Sequence, residues 1–218
     1  MNMLRFAEEI ILLLLRDEDG RFIQIPTWSM DYAIAGAVLM DLAMENRIDT
    51  DLENLLLIDS SPVGDDILDP VLAEVSEGGN SDTRYWVEQV SRRGAEIRER
   101  ALERLVEKGI LEKEDDRFLW VFRSRRYPTL DGNAEREVKL RILNVLFSDE
   151  IPDPRDQMII CLADACGIFP RILSRQEHAN AADRIAQVSR LDLIGQTMSQ
   201  AIHDIQVSVA VSHQAHMI

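Results

Sequence analysis

The feature that most constrains this chain is a segment near its N-terminus that is apolar on every side of a helix. Residues 32–40 contain no charged side chain, and Ala33 to Met40 are all apolar or small. A helix that is hydrophobic all round is either buried in a soluble protein or crosses a membrane. This run is well short of the roughly 20 residues that a membrane-spanning helix needs. The sequence therefore predicts a buried central helix, capped at Thr27 or Ser29 and ending near Asn46.

Apolar residues at helical spacing predict further helices packed around this one. An amphipathic helix at 4–16 opens the chain, and others cover 67–75, 85–108, 133–147, 157–169 and 182–209. A short strand is predicted at 21–25. Residues 110–122 read as a hairpin, with arms at 110–112 and 118–122 joined by a turn at 114–116.

These patterns predict a mainly α fold, a single helical domain around a central helix bundle with a short apolar β-hairpin. We place the domain at residues 1–210 and a C-terminal tail at 211–218.

Charge is distributed unevenly along the chain. The net charge is -15 and the isoelectric point about 4.7, which opposes nonspecific binding to nucleic acid or anionic lipid unless positive charge is locally concentrated. Arginines are concentrated between residues 92 and 104 and again between 123 and 126. Arginine suits planar, bidentate contacts to carboxylate or phosphate.

The second arm of the predicted hairpin does not alternate between apolar and polar residues. Its five residues are all large and apolar, and arginines follow them: Phe118, Leu119, Trp120, Val121 and Phe122, then Arg123, Arg125 and Arg126. One interpretation is a strand covered on both faces by the fold or by another subunit. The other is a ridge that enters the lipid headgroup region while the arginines contact anionic phosphates.

Two further residues are candidates for ligand binding. Arg98 follows the core residue Ile97 at the edge of the buried stripe, where a guanidinium can face a shallow pocket, whereas the neighbouring arginines fit a solvated, ion-paired helix face. Trp28 stands at the start of the central helix, where it is either a core anchor or a ligand contact beside free helix amides that can bind phosphate.

Catalytic patterns are few. His213 and His216 are suitably spaced for a metal but have no third ligand nearby, and the sequence contains no Gly-rich phosphate loop, nucleophile elbow or paired-cysteine motif. We therefore predict no enzymatic activity, no cofactor and no metal site.

Four stretches, in this order and spacing, resemble the Golgi phosphoprotein 3 family across roughly Leu4 to Val209. They are LRFAEEIILLLLRDED from Leu4, AGAVLMDLAMENRI from Ala35, IRERALERLVEKGIL from Ile97, and the Phe118–Phe122 run followed by Tyr127 and Pro128. The resemblance implies a helical domain with an apolar hairpin on its membrane-facing side, located in the cytoplasm as a peripheral membrane protein. It also implies binding to phosphatidylinositol 4-phosphate and, in eukaryotic members, retention of glycosyltransferases through their cytosolic tails.

The resemblance assigns Trp28 and Arg98 to the family's lipid pocket and Phe118–Phe122 to its apolar hairpin. Two positions where the family has pocket arginines are Ala35 and Ala95 here. The basic N-terminal segment of eukaryotic members is also missing, so the chain is similar to the bacterial branch. The expected partners are an anionic membrane lipid and the cytosolic tails of membrane proteins.

Two other functions fit parts of the sequence. A soluble oligomeric scaffold would use the hairpin to pair subunits of a homo-oligomer. A winged-helix nucleic-acid binder would use the helix, the segment from Val106 to Leu111 and the hairpin as recognition helix and wing. The net charge of -15 and the acidic residues at 114–116 oppose the second, because duplex binding depends on phosphate neutralisation by Lys and Arg. We expect no nucleic-acid partner.

Overall fold

A single helix forms the centre of the molecule. The computed structural model describes residues 4–16, 19–51, 53–115, 125–130 and 133–215. At its centre is α2 (Thr27–Met44), in which every residue from Ala33 to Ala43 is buried. The helices that pack on α2 are α1 (Phe6–Leu14), α3 (Leu68–Glu77), α4 (Thr83–Ser91), α5 (Gly94–Glu107), α7 (Pro154–Ala165) and α10 (Leu193–Ala215). The predicted mainly α fold with a buried central helix is confirmed.

The first helix differs from the amphipathic prediction. All of α1 is buried, including Glu8 and Glu9. Each acid has a basic partner: Lys108 Nζ is 2.5 Å from Glu8 Oε1, and Arg141 Nη2 is 2.8 Å from Glu9 Oε2. Buried carboxylates are tolerated when they are paired and hydrogen-bonded, so charge here does not mark a solvent face.

The predicted helix at 85–108 is two helices. α4 ends at Ser91 and α5 begins at Gly94, with Arg93 in a non-helical conformation between them. Glycine is the poorest helix former after proline. The break lets Gly94 approach α2 closely, because a Cβ added to Gly94 would lie 3.0 Å from the Cα of Asp31.

The C-terminal helices are also more divided than predicted. α7 is followed by α8 (Phe169–Ile172), because Gly167 between them has a left-handed φ of 64°, a common helix ending. The predicted helix at 182–209 is two, α9 (Arg175–Val188) and α10. Ser174 and Glu177 form a capping box that starts α9 before the predicted position, and the Asp192 carboxylate accepts from the Gly195 amide at the start of α10.

α6 (Asn133–Leu146) matches the prediction closely. The predicted strand at 21–25 is reduced to one bridge between Leu15 and Phe22. Residues 48–57 form an antiparallel pair, β1 (Ile48–Thr50) and β2 (Leu55–Leu57). The boundary between a domain at 1–210 and a tail at 211–218 stays a prediction.

The second hairpin has a different register from the prediction. β3 (Glu114–Asp115) pairs with β4 (Arg125–Arg126), placing Glu114 opposite Arg126 and Asp115 opposite Arg125. Nearer the helices, the Glu112 amide donates to the Pro128 carbonyl at 2.9 Å. The predicted turn at 114–116 was wrong, because an acidic run that resembles turn chemistry is instead the first strand.

The C-terminal end of α2 is held by a network of buried ions. The Phe6 amide donates to Asp41 Oδ2 at 2.8 Å, and Asp41 Oδ1 lies 4.0 Å from a guanidinium nitrogen of both Arg5 and Arg155. Arg155 also contacts Glu9 at 3.2 Å and stacks 4.0 Å above the centre of the Phe6 ring. Burial raises the pKa of Asp41 to about 7, with the two arginines opposing this rise.

Candidate membrane-facing site

Trp28 lies at the opposite end of α2 and is 46% exposed. The N-cap position is Pro26, with no side-chain cap, so the prediction of a cap by Thr27 or Ser29 was wrong. The Ser29 hydroxyl donates instead to the carbonyl of Cys166 at the end of α7. This contact anchors the first turn of α2 to α7 and leaves the Trp28 indole at the surface.

A polar cleft of about 540 Å³ borders Trp28. Its other walls come from the end of α7, including Asp164 and Gly167, and from α10, including Ser199 and His203. The Tyr32 ring lies one turn along α2, with its centroid 6.2 Å from that of Trp28 and the two planes tilted by 50°. An indole in this position offers an apolar face and one N–H donor to a ligand.

Arg98 lies near the same end of α2. It is half-buried on α5, and its guanidinium is a charged neighbour of Asp31. Burial raises the pKa of Asp31 above its usual value, and the charge of Arg98 opposes this rise only in part. Asp31 Oδ1 is buried and has no hydrogen-bond partner among the described residues. Arg98 is therefore beside Asp31, and Asp31 lies one turn from Trp28 on α2. Arg98 does not line the cleft that borders Trp28.

Sequence reasoning missed Asp31. The only sequence signal for Asp31 was its spacing of three residues from Trp28, which puts both side chains on one side of a helix. Nothing in the sequence indicated that Gly94 would allow α5 to pack against Asp31. The acid matters because a phosphate that bound Arg98 would compete with it.

Three other arginines on or beside α5 are engaged in ion pairs. Arg93 pairs with Glu74 at 2.9 Å and Glu96 at 3.1 Å. Arg100 pairs with Asp66 at 2.6 Å, and Arg104 with Asp65 at 2.7 Å. The interpretation of this face as solvated and ion-paired holds for Arg93 and Arg100, whereas Arg104 and Asp65 form a largely buried pair. The partners come from α3, from the loop before it and from α5 itself.

Only the base of the apolar hairpin lies within the described residues. Phe118, Leu119, Trp120, Val121, Phe122 and Arg123 lie outside them, and the predictions made for these residues stay predictions. Arg125 and Arg126 form β4. Next to them, the Tyr127 amide donates to the Gly20 carbonyl at 2.8 Å, which fixes the hairpin base to the loop after α1.

The sequence of this chain matches that of a known protein family. Residues 6–205 match the family described as Golgi phosphoprotein 3 (GPP34). The chain belongs to the Golgi phosphoprotein 3 family.

A family relative is the vacuolar protein sorting-associated protein 74 of Schizosaccharomyces pombe (strain 972 / ATCC 24843). It is 26% identical over 240 aligned residues, which cover 95% of this chain and 71% of the relative. The family resemblance inferred from the sequence is thereby confirmed.

Two positions where the family resemblance predicted pocket arginines are occupied by alanine in this chain. Ala35 is fully buried in the middle of α2, and Ala95 is exposed in the first turn of α5. Neither can contribute a guanidinium, so Trp28 and Arg98 are the expected pocket residues that remain, and their part in lipid binding stays a prediction.

In the part of the chain that the structure describes, no helix combines the length and apolar character needed to cross a membrane. Within the same ranges, no group of three His, Cys, Asp or Glu side chains is placed to hold a metal ion.

Proposed function

We propose that this protein is a peripheral membrane adaptor that binds anionic phospholipid and holds membrane-protein clients at the surface. Within the family the expected lipid is phosphatidylinositol 4-phosphate, and the expected client contact is a cytosolic tail. The observation that carries the proposal is the family match over residues 6–205, which includes both Trp28 and Arg98.

The geometry at the N-terminal end of α2 supports the lipid half of the proposal. A half-exposed indole beside uncapped helix amides suits the boundary between an apolar layer and phosphate groups. The net charge of -15 works against anionic surfaces, so attraction has to come from local contacts. Arg98 supplies one, with the lipid phosphate replacing Asp31 as its partner.

Vesicle flotation tests this function. Wild-type protein is mixed with vesicles of phosphatidylcholine alone, or containing phosphatidylserine or phosphatidylinositol 4-phosphate, at low and at high salt. Arg98→Ala should remove most of the preference among anionic headgroups. Joint replacement of Arg123, Arg125 and Arg126 should weaken binding to every anionic vesicle, by up to about 1 kcal/mol for each arginine near the surface.

Arg92→Ala is the matched control, because Arg92 is exposed at the end of α4 and bonds to Gln89 at 3.0 Å. It should behave as wild type. Failure of the wild type to bind any anionic vesicle at either salt concentration would refute the lipid function. Equal effects of Arg98→Ala and Arg92→Ala would remove Arg98 from the site.

Trp120→Ala tests the apolar ridge separately. If Phe118–Phe122 contact lipid, this change weakens flotation with all vesicles; if they pair subunits, it lowers the molecular mass measured by sedimentation. If Trp120→Ala changes neither flotation nor molecular mass, the segment is ordinary core.

A further inference from the structure

A second cleft, of about 650 Å³, shares no lining residue with the cleft that borders Trp28. It is enclosed by the loop at 21–24, by α6 and by the segment from Phe169 to Leu173. Its volume falls within the range of about 300–1,000 Å³ that is typical of small-molecule sites.

The floor of this cleft is apolar. Phe169 and Leu13 are buried beneath it, and the partly exposed side chains of Phe22, Leu143 and Ile172 form its surface. Partly exposed apolar side chains gathered in one concavity gain free energy from covering by an apolar ligand, about 25 cal/mol for each Å² removed from water.

The rim is basic. Arg16, Arg21, Lys139 and Arg171 line the cleft, and the described lining residues include no carboxylate. This is unusual in a chain with 39 acidic and 24 basic residues. Positive charge around an apolar floor is complementary to a molecule with a hydrocarbon part and an anionic head.

The basic residues are not equally available. Arg16 Nε lies 3.4 Å from Asp19, and Lys139 Nζ bonds to Glu135 and to the Leu15 carbonyl at 2.8 Å. Arg171 is exposed and has no acidic partner among the described residues. Its guanidinium is thus the group best placed to meet an incoming anion, while Lys139 is held in position at the inner edge.

We propose that this cleft binds a monoacyl phospholipid, with the acyl chain on the apolar floor and the phosphate at the basic rim. Phosphate is the matching head because guanidinium groups contact it through two parallel hydrogen bonds. This site is separate from the one at Trp28 and Arg98 and does not rest on the adaptor function, since its ligand is a single dispersed lipid and not a membrane surface.

The test is calorimetric titration of the full chain below the micelle concentration of each probe. Oleoyl glycerol phosphate has both parts of the proposed ligand, oleoyl glycerol has the chain alone, and glycerol phosphate has the head alone. We expect saturable binding of the first at one site per chain, with both partial ligands weaker. Shortening the chain to octanoyl should also weaken binding.

Two substitutions at the rim test the location. Arg171→Gln should weaken binding of oleoyl glycerol phosphate about fivefold, the size expected for one partly solvated ionic contact. Gln24→Glu adds a carboxylate at an exposed lining position with almost no change in volume. It should weaken binding of oleoyl glycerol phosphate more than Arg171→Gln does, and it should leave binding of oleoyl glycerol unchanged.

Arg175→Gln is the matched control, because Arg175 is an exposed arginine four residues beyond Arg171 that does not line the cleft. It should bind as wild type, and all three variants should show wild-type circular dichroism. Glycerol phosphate binding as tightly as the full ligand would overturn the proposal in favour of a simple anion site. If oleoyl glycerol binds as tightly as oleoyl glycerol phosphate, the cleft is an apolar surface without a phosphate site. If neither Arg171→Gln nor Gln24→Glu changes the binding of oleoyl glycerol phosphate, the lipid binds elsewhere on the protein.

Discussion

The two ends of α2 are held in opposite ways. At its C-terminal end, Asp41 accepts from the Phe6 amide and faces both Arg5 and Arg155. At its N-terminal end, Asp31 has Arg98 as its charged neighbour, and one of its buried oxygens has no hydrogen-bond partner among the described residues.

This contrast separates structural charge from charge that is available to a ligand. Arg155 contacts Asp41, Glu9, the Phe6 ring and the Leu4 carbonyl, so removing it would leave buried groups unpaired. Among the described residues, Asp31 is the charged neighbour of Arg98, and Arg98 remains partly exposed. The C-terminal end therefore fixes the bundle, and the N-terminal end leaves a guanidinium that an anionic ligand could reach.

Arg155→Ala should have the largest effect. It leaves Glu9 and Asp41 buried with less compensation and removes the stack on Phe6, so we expect a loss of about 3–5 kcal/mol in the free energy of unfolding. Urea denaturation followed by circular dichroism measures this. Arg98→Ala, at the other end, should lose less than about 1 kcal/mol. Similar losses from the two variants would abolish the distinction between the ends.

Asp41→Asn tests the same end through pH. The folded pKa of Asp41, about 7, lies above the unfolded value, so the folded state retains a proton that the unfolded state releases between about pH 4 and 7. Stability from this group is therefore greatest at low pH and falls as pH rises through that window. Between pH 5 and 8 the wild type should lose roughly 2 kcal/mol relative to Asp41→Asn. Parallel stability curves for the two proteins would show that Asp41 stays ionised in the fold.

Asp31→Asn should have the smallest effect of the three substitutions, and this effect should be on binding and not on stability. Without the competing carboxylate, Arg98 should bind phosphate more tightly, raising flotation with phosphatidylglycerol vesicles about fivefold at neutral pH. Burial raises the pKa of Asp31, so acidification should protonate this carboxylate in the wild type. The difference in flotation between Asp31→Asn and wild type should then become smaller.

Asp192→Asn is the control for that experiment. Burial raises the pKa of Asp192 as well, but this carboxylate accepts from the Gly195 amide and lines neither cleft. The control should not reproduce the pH-dependent difference in flotation. A constant difference between Asp31→Asn and wild type across pH would show that Asp31 does not regulate Arg98.

Much of the fold could be predicted from local patterns. The all-apolar segment at 33–40 indicated the centre of the bundle, and helical spacing located most of the helices. The divisions at Arg93 and Gly167 were missed because apolar spacing continues across them. What decides such breaks is the backbone conformation and the tertiary contact that the break permits, as with Gly94 against Asp31.

The candidate site was only partly predictable. Trp28 and Arg98 were identified from position and family resemblance, and the structure places both at one end of α2. The neighbouring Asp31 and the basic cleft were missed, because each is assembled from residues far apart in the chain. Lys139 and Arg171, for example, are distant in sequence from the loop at 21–24, and only the packing of α6 and α8 brings them together.

Gly20 gives the hairpin and the basic cleft a common support. It has a left-handed φ of 62°, and a Cβ there would lie 2.4 Å from the backbone of Tyr127 and Pro128. The loop that continues from Gly20 forms one wall of the cleft, while Tyr127 continues from β4. If the hairpin binds a membrane, as proposed above, a displacement of its base there would move that wall. Linkage between two sites is reciprocal. Any factor by which membrane binding changed the affinity of the cleft for its lipid would then also be the factor by which that lipid changes the affinity of the hairpin for the membrane.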